Sequence, residues 1–343
     1  MKEVSIIGVV GIPSRYGGFE SLAENLASSK KIKFLVYCQE SAYENKISNF
    51  KNAKLIYLPL KANGVQSILY DLVSILHSLV FRKNDLLLLG VSGAIFIPVI
   101  KALSKRKVVT NIDGLEWKRE KWGPFAKKFL KFSEAIAVRF SDQIISDNYA
   151  ITEYVKEFYN KKAVTIAYGG DHALTSNIQN SPKDYFLSIC RVEPENNVHL
   201  ILEAFSKTEK KLKFVGNWHN STYGAKLRKD YENYSNIELL DPVYDSKKLF
   251  NLRSLCMGYI HGHSAGGTNP SLVEIMHFGI NIFCFDCIYN RYTTNNKAYY
   301  FNCVTELIES LNLNAESNGN DMKEIASQKY TWDIVRKEYE GLF

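Results

Sequence analysis

The chain up to residue 166 alternates short apolar runs with longer amphipathic stretches. The apolar runs predict strands at Glu3–Val9, Lys33–Cys38, Ala53–Leu58, Asp85–Leu89, Lys107–Thr110, Gln143–Ser146 and Ala163–Ile166. The amphipathic stretches predict helices, among them Gly18–Ser29, Val65–Leu79, Ile95–Ser104, Phe125–Phe140 and Ala150–Tyr159. This strand–helix alternation is typical of a doubly wound, mostly parallel sheet.

A polar stretch without periodicity, from Gly169 to Asp184, predicts a linker, and the alternation then starts again. The second part predicts strands at Tyr185–Ile189, Lys213–Val215, Ile237–Leu239, Cys256–Ile260 and Asn281–Phe285, with helices at Asn197–Phe205, Ala225–Tyr234, Ser246–Asn251 and Pro270–Phe278. The segment Gln328–Phe343 predicts a separate amphipathic helix. We therefore expect an α/β protein with two doubly wound Rossmann-like domains, residues 1–170 and 183–327. Two such domains facing each other place a ligand cleft at the carboxyl ends of their strands.

Composition narrows the class of protein. A chain of 343 residues, 46% hydrophobic and 23% charged, favours two folded domains over long disorder. The opening strand is too short for a signal peptide, and no apolar run reaches the roughly 18–20 residues of a membrane span. We therefore expect a cytoplasmic protein.

Cys284 and Cys287 form a C-x-x-C, and His261 and His263 form an H-x-H, without further ligands at metal spacing. Reduced thiols are expected and no metal is predicted, a redox or metal role for the C-x-x-C being the alternative.

The net charge of +7 is concentrated in residues 101–140, where eleven basic residues stand against four acidic ones. The aromatic residues interleaved with them are Trp117, Trp122, Phe125, Phe129 and Phe132. Such a stretch can dock on an anionic membrane or on a nucleic acid. Because no nucleic-acid motif accompanies it, we favour the membrane and predict no nucleic-acid partner; the alternative is a solvated helix face.

The loop after the first predicted strand has the sequence GIPSRYGGFE. It is neither a P-loop nor a GxGxxG motif. Gly17 and Gly18, directly before a helix, allow a phosphate or a sugar to approach the backbone closely, and Arg15 adds a charge. We predict that Arg15, Tyr16 and Glu20 contact a bound substrate, the alternative being a plain strand-to-helix turn.

Two further loops follow predicted strand ends. In NIDGLEW, Asp113 is placed to accept hydrogen bonds from hydroxyls or to act as a base, the alternative being a capping aspartate. In CRVEPENN, Arg191 stands at the end of the first strand of the second domain, before a helix. A guanidinium there predicts a phosphate contact.

The segment HGHSAGGTNPSLVEIMHFG, residues 261–279, changes from a glycine-rich loop into an amphipathic helix. Thr268 and Asn269 are candidate N-caps before Pro270. The N–H groups of such a helix start suit a phosphate, and Glu274 adds a carboxylate one turn further on. An anion site beside a carboxylate fits a nucleotide, whereas a loop that merely caps a helix is the alternative.

Together, GIPSRYGGFE, NIDGLEW, RVEPENN, VGNW, HGHSAGGTNPSLVE and the closing YTWDIVRKEYEGLF resemble the bacterial family-4 glycosyltransferases of GT-B fold. Within that family they are similar to the rhamnosyltransferase-like branch used in capsule, O-antigen and cell-wall polysaccharide synthesis. The resemblance covers essentially the whole chain. It implies that the second domain binds a nucleotide-diphosphate sugar and that the first binds the acceptor, through Arg15, Tyr16 and Glu20. It also implies that the helix 328–343 crosses back to complete the first domain.

The resemblance also implies roles for residues of the donor site. Arg191 would bind the donor pyrophosphate, and Glu274 the ribose hydroxyls. The backbone of Gly267, Thr268 and Asn269 would meet the phosphates and the sugar, and Gly17 and Gly18 would close on the pyrophosphate from the other side. Asp113 and His263 would orient the donor sugar.

Three positions depart from the wider family's pattern. The family's first glutamate, eight residues before Glu274, is Gly266; the lysine five residues after Arg191 is Asn196; and the first-domain histidine is Asp113. We interpret these as features of the branch, in which Asn196 still contributes to donor binding. With the lysine absent, Arg191 and helix N-termini would stabilise the departing diphosphate.

The resemblance therefore implies a retaining glycosyltransferase that acts by front-face displacement, without a metal, a cofactor or a protein nucleophile. The expected reaction transfers L-rhamnose from dTDP-L-rhamnose to a lipid-pyrophosphate-linked saccharide at the inner face of the cytoplasmic membrane. Galactosyl, glucosyl or fucosyl transfer stays open, because the contacts that read a sugar are few and lie on loops. A nucleotide-sugar epimerase or hydrolase and a non-catalytic partner in a polysaccharide assembly complex also stay open.

Overall fold

The computed structural model describes residues 2–14, 17–118, 122–177, 184–312 and 317–343. The chain divides into two compact units. Unit 1 contains the chain up to Tyr168 together with Asp333–Phe343, and unit 2 contains Gly169–Trp332.

Unit 1 is built on one sheet, in which the apolar runs of the sequence become buried strands. Its strands are β1 Lys2–Ile7, β2 Ile32–Gln39, β3 Asn49–Phe50, β4 Ala53–Leu58, β5 Asp85–Leu89, β6 Val108–Asn111, β7 Gln143–Ser146 and β8 Val164–Thr165. Their order across the sheet is β3-β4-β2-β1-β5-β6-β7-β8. All the pairs are parallel except β3 with β4. The chain goes from β1 outward to β2 on one side and returns to β5 on the other, so its topological switch point lies between β1 and β5.

The helices of unit 1 are α1 Gly18–Leu26, α2 Gln66–His77, α3 Ile97–Leu103, α4 Pro124–Phe140 and α5 Tyr149–Tyr159. A short helical segment, Ser92–Phe96, contacts both α2 and α4, and α3 packs on α4. These elements therefore form one helical layer. Among the described residues no helix is long and apolar enough to cross a membrane.

Unit 2 is a second sheet, all of whose pairs are parallel. Its strands are β9 Tyr185–Ile189, β10 Lys211–Val215, β11 Ile237–Leu240, β12 Gly258–His261, β13 Asn281–Phe285 and β14 Tyr299–Phe301. Their order is β11-β10-β9-β12-β13-β14, which places the switch point between β9 and β12. The helices are α6 Val198–Ser206, α7 Thr222–Tyr231, α8 Ser246–Ser254, α9 Pro270–Met276, α10 Ile288–Thr293, α11 Val304–Asn312 and α12 Gly319–Lys329. Phe186, Phe205, Phe214 and Trp218 belong to its hydrophobic core.

The predicted closing helix, Gln328–Phe343, is present but begins four residues later, at Trp332, and Gln328 and Lys329 belong to the end of the preceding helix. Helix α12 ends at Lys329, and a new helix, α13, covers Trp332–Gly341. The carbonyl of Tyr330 accepts hydrogen bonds from the backbone N–H of Gly170, at 2.7 Å, and from His277 Nε2, at 2.9 Å. Because these tertiary partners take the carbonyl, the helix is interrupted there. Helix α13 packs in unit 1, where Tyr339 is fully buried and its hydroxyl accepts from Asn111 Nδ2 at 2.7 Å.

Candidate functional site

In unit 2, Arg191 lies in the loop after β9, at the topological switch point of the sheet. In open α/β sheets, ligands bind in the crevice outside the carboxyl ends of the strands at this point. The Arg191 side chain is 42% exposed, and its Nη1 lies 3.8 Å from Glu193 Oε1. The backbone of the loop is fixed, since Val192 N–H donates to Asn217 Oδ1 at 2.6 Å. A solvent-accessible guanidinium on a fixed loop can bind an anionic ligand.

The loop after β12 is hydrogen-bonded to the loop after β9. Ser264 donates its N–H and its hydroxyl to the carbonyl of Glu195, both at 2.9 Å. Asn197 Nδ2 donates to the carbonyl of Gly262 at 2.8 Å. A Cβ on Gly262 would overlap the carbonyl oxygen of Asn196, so only glycine allows the two loops to approach so closely. The structure thus brings together two loops that the sequence predicts separately.

Asn196 and His263 form a pair at this junction. Asn196 is buried, its Nδ2 donates to the carbonyl of Arg191 at 2.7 Å, and its Oδ1 lies 2.7 Å from His263 Nδ1. Because the amide oxygen can only accept, Nδ1 of His263 carries a proton and Nε2 of the neutral ring is an acceptor. Asn196 therefore fixes the imidazole and the backbone of Arg191 rather than supplying the charge of a lysine.

The helix that follows this loop starts as its sequence predicts. Asn269 is the N-cap of α9, and its Oδ1 accepts from the N–H and the hydroxyl of Ser271, at 3.0 and 2.8 Å. Gly266 has a φ of +97°, a conformation that favours glycine, and both Gly267 and Thr268 are buried. Since α9 spans only seven residues, Arg191 is the stronger source of positive charge here.

Glu274, on α9, is engaged by two side chains. One oxygen, Oε2, forms a salt bridge with Arg253 of α8, and the other, Oε1, lies 3.3 Å from His172 Nε2. The Arg253 and Glu274 side chains are 8% and 17% exposed. Burial by itself raises the pKa of Glu274, but Arg253 and His172 outweigh it, so that the pKa is lowered. The carboxylate is thus ionised and is held in one orientation.

In unit 1, Glu20 and Glu24 of α1 accept hydrogen bonds from backbone N–H groups of the loop after β1. Glu20 Oε1 accepts from Val10 N–H at 2.8 Å, and burial raises the pKa of Glu20. Glu20 therefore has a structural contact within the loop, and its contact with an acceptor stays a prediction. Gly17 has a φ of +115°, as a tight turn before α1 requires. Arg15 and Tyr16 lie outside the described residues.

Asp113 follows β6 in a left-handed conformation, with a φ of +60°. Its N–H donates to Asn111 Oδ1 at 2.9 Å, and its Oδ1 accepts from Tyr168 Oη at 3.4 Å. The same tyrosine ring lies 3.3 Å from the position of a Cβ on Gly18. The structure thus brings Gly18 and Asp113 to one tyrosine at the carboxyl edge of the sheet.

The two residues that contact Glu274, His172 and Arg253, are not among those that we predict from the sequence. His172 lies in the stretch predicted as a linker, and nothing in its local pattern distinguishes it. Arg253 did carry a signal, because it lies three residues after Phe250 and so shares the buried face of α8. A charge on a buried helix face requires a partner, although the sequence does not identify which one.

Known proteins share the fold of this chain. Residues 1–171 match a family described as a domain of unknown function, DUF1972. No curated protein matches the chain. Among solved structures, the chain is similar to sucrose-phosphate synthase from Thermosynechococcus elongatus, with a TM-score of 0.79 and 11% identity, covering 100% of this chain and 98% of that one.

HepE from Anabaena, solved in complex with UDP, has a TM-score of 0.73 and 14% identity, with 100% and 99% of the two chains covered. The catalytic domain of starch synthase IV from Arabidopsis thaliana, bound to ADP and acarbose, has a TM-score of 0.67 and 11% identity, with 99% and 98% covered. At such identities the likeness shows the fold. The chain has the GT-B fold, and the predicted α/β class with two Rossmann-like sheets is confirmed.

Proposed function

We propose that the protein is a glycosyltransferase that takes a sugar from a nucleotide-diphosphate donor bound to unit 2. The observation that carries this proposal is the arrangement at the switch point of unit 2, where an exposed guanidinium and a fixed imidazole lie on two hydrogen-bonded loops. The helix after the second loop carries a buried, ionised carboxylate. The solved HepE structures, which contain UDP and UDP-glucose, add support from a shared fold.

Each group has a chemical role in this proposal. Arg191 binds the diphosphate and stabilises the negative charge that develops on it as it leaves. Glu274 accepts hydrogen bonds from the hydroxyls of the nucleoside ribose, of which a dTDP donor has only the 3′-OH. A carboxylate has about four acceptor positions, and Arg253 and His172 occupy two of them. His263, fixed by Asn196, contacts the donor sugar or its phosphate.

In unit 1 we assign acceptor binding to the loop after β1, with Arg15, Tyr16 and Glu20. Asp113 contacts a hydroxyl of the donor sugar or of the acceptor. The acceptor hydroxyl attacks the anomeric carbon from the face that the diphosphate leaves, the proton passes to the departing phosphate oxygen, and the configuration is retained. We propose L-rhamnose from dTDP-L-rhamnose as the transferred group and a lipid-pyrophosphate-linked saccharide as the acceptor.

We further propose that unit 1 docks on an anionic membrane through the layer formed by α2, α3 and α4. Large apolar side chains are exposed on all three helices and in the segments directly before α2 and after it. They are Val65, Leu69, Leu76, Val80, Phe81, Val99, Leu103, Phe125, Phe132 and Phe140. Arg106 of the basic stretch donates to the carbonyls of Ser78 and Leu79 at 3.0 and 2.7 Å, which joins the α2 end to that stretch. An apolar surface bordered by lysines and arginines fits the interface of an anionic bilayer.

The two tryptophans of the basic stretch have another role. Trp117 Nε1 donates to Glu134 Oε2 and Trp122 Nε1 to Glu116 Oε1, both at 3.0 Å. They tie the segment to neighbouring acidic side chains, so the docking surface consists mainly of phenylalanine and aliphatic side chains.

The donor proposal is tested by a thermal-shift panel of dTDP-, UDP- and GDP-sugars, followed by a transfer assay with the donor that binds. A bound donor raises the melting temperature by mass action. Glu274→Ala should reduce kcat/KM by about tenfold or more, the loss of one or more charge-assisted hydrogen bonds. The anomeric configuration of the product, read by NMR, tests retention.

Several outcomes would replace this proposal. Release of free sugar without an acceptor would indicate a hydrolase, and a changed sugar an epimerase. A different sugar in the product would point to galactosyl, glucosyl or fucosyl transfer. The absence of binding by every donor would favour a non-catalytic partner, in line with Asn196 and Gly266 at positions where the wider family has a lysine and a glutamate.

The membrane proposal is tested by co-sedimentation with vesicles of phosphatidylcholine alone or with phosphatidylglycerol. Phe125 is 91% exposed and Phe132 61% exposed, so replacing both with serine should leave the fold intact and reduce binding to the anionic vesicles. Tyr244→Ser, at a position in unit 2 that is 73% exposed, is the matched control. Equal sedimentation of all three proteins would contradict the proposed surface.

A further inference from the structure

The Glu274 oxygen that does not contact Arg253 lies next to His172, and the tautomer of this histidine is fixed by Trp332. Trp332 Nε1 lies 2.9 Å from His172 Nδ1, and an indole N–H can only donate. Nδ1 therefore accepts, and the proton of the neutral ring lies on Nε2, which is 3.3 Å from Glu274 Oε1. His172 thus donates to the carboxylate while neutral and need not be protonated for the contact to exist.

These residues lie where the chain passes between the units. It enters unit 2 at Gly169 and leaves it after Trp332. The two passages are joined within unit 2, since Trp332 N–H donates to Asp171 Oδ1 at 2.8 Å and Gly170 N–H to the Tyr330 carbonyl at 2.7 Å.

Gly170 brings these joined passages against the helix that carries the carboxylate. A Cβ on Gly170 would lie 2.6 Å from the carbonyl carbon and oxygen of Val273 and 2.7 Å from the backbone nitrogen of Glu274. The passages therefore contact Glu274 twice, through the backbone of α9 and through the His172 side chain.

We propose that His172, held by Trp332, and Arg253 are positioning residues that aim the Glu274 carboxylate at the ribose of the donor. This inference rests on the proposed donor-binding function. The two side chains approach different oxygens, so that the rotation of the carboxylate is fixed before a donor arrives. Preorganisation of this kind strengthens hydrogen bonds to the ligand, because less ordering is required on binding. It also ties the nucleoside end of the site to the segments through which the chain enters and leaves unit 2.

The test measures how strongly the protein distinguishes a nucleoside diphosphate from the same nucleotide without its ribose hydroxyls. The probes are UDP against 2′,3′-dideoxy-UDP and, since dTDP has no 2′-OH, dTDP against 3′-deoxy-dTDP. The ratio of the two Kd values reports the hydrogen bonds to the ribose and cancels contributions from the base and the phosphates. His172→Gln and His172→Asn form a matched pair. The glutamine nitrogen takes the place of Nε2 and can donate to Glu274, whereas the shorter asparagine can accept from Trp332 Nε1 through its oxygen, in place of Nδ1, but does not reach Glu274. Trp332→Phe removes the N–H and keeps an aromatic ring.

We expect the glutamine variant to keep the ratio of the wild type. The asparagine and Trp332→Phe variants should lower it by about fivefold, which corresponds to roughly 1 kcal/mol. A loss of affinity that is equal for both nucleotides would show only general damage to the fold and would overturn the proposal, as would an unchanged ratio in the asparagine variant.

Glu274→Ala separates this inference from the proposed function. If that variant brings the ratio close to one while both His172 variants leave it unchanged, the donor site stands and the positioning role is wrong. If Glu274→Ala itself leaves the ratio unchanged, the assignment of Glu274 to the ribose is wrong.

Discussion

Replacing Arg253 with methionine would leave a carboxylate buried without its principal partner. The methionine side chain fills much of the space of the arginine stem, so the change removes charge and hydrogen bonds more than volume. Glu274 would keep its contact with His172. The perturbation therefore isolates the electrostatic contribution of Arg253.

The expected magnitude follows from burial. With the two side chains 8% and 17% exposed, solvent screens the pair weakly. Breaking a buried ion pair by removing one partner costs about 3–5 kcal/mol, and we expect about 3 because His172 remains. The pair stabilises through a lowered pKa of Glu274, so this stability is present above the unfolded-state value of 4.5 and is lost as the pH falls through the folded-state value.

The assay is urea unfolding at several pH values for the wild type, Arg253→Met, Glu274→Gln and the double variant. The difference in unfolding free energy between the wild type and Arg253→Met should be largest near neutral pH and should decrease in acid. The loss of unfolding free energy in the double variant should be smaller than the sum of the losses in the two single variants by about 1–3 kcal/mol, since neither buried charge is then left alone. Strict additivity, or a loss in Arg253→Met that does not change with pH, would refute the reasoning.

Two other predictions concern buried positions. Asp71 is 2% exposed, and burial raises its pKa from 3.8 to about 7 despite a hydrogen bond from Ser92, so ionisation costs stability as the pH rises through that range. In the wild type, the free energy of unfolding should therefore fall by on the order of 4 kcal/mol between pH 4 and 8, and Asp71→Asn should abolish this fall. Urea unfolding at both pH values checks this, and an unchanged pH dependence in the variant would contradict it. Gly170→Ala should destabilise the protein by about 1–3 kcal/mol, because the added methyl overlaps the α9 backbone. Gly123→Ala, where a Cβ meets nothing within 4 Å, is the control in thermal denaturation; equal melting temperatures would contradict the contact.

Much of the fold follows from local pattern. Strands β5 and β13 are apolar at every position after the first, and their side chains are buried or nearly so on both faces of the sheet. Such runs are typical of parallel sheets covered on both faces. The break at Tyr330 could not be predicted, since it depends on Gly170 and His277, which are distant in sequence. Strand β3, two residues long, carries too little pattern to be recognised.

In the candidate site, likewise, single residues could be predicted from the sequence, whereas the contacts between them could not. Arg191 and Glu274 stand out because a charged residue is unusual at a strand end or on an apolar helix face, and Asn269 stands out because asparagine is a preferred N-cap before Pro270. The connections between them are tertiary. The Asn196–His263 contact joins residues 67 positions apart, and Arg253 lies 21 positions from Glu274. Their role becomes visible only when the sheet order brings β9 and β12 together.

The most direct test of the donor site is calorimetric titration of dTDP, UDP and GDP into the wild type, Arg191→Ala and Arg228→Ala. Arg228 is a matched control, an arginine of unit 2 whose Nη1 lies 2.6 Å from Asp241 Oδ1. We predict that one of the nucleotides binds with a single site, that Arg191→Ala weakens it by about tenfold or more, the value of a charge-assisted hydrogen bond, and that Arg228→Ala leaves it unchanged. Binding that is equal in all three proteins, or no binding of any nucleotide by the wild type, would contradict a nucleotide-diphosphate site at Arg191.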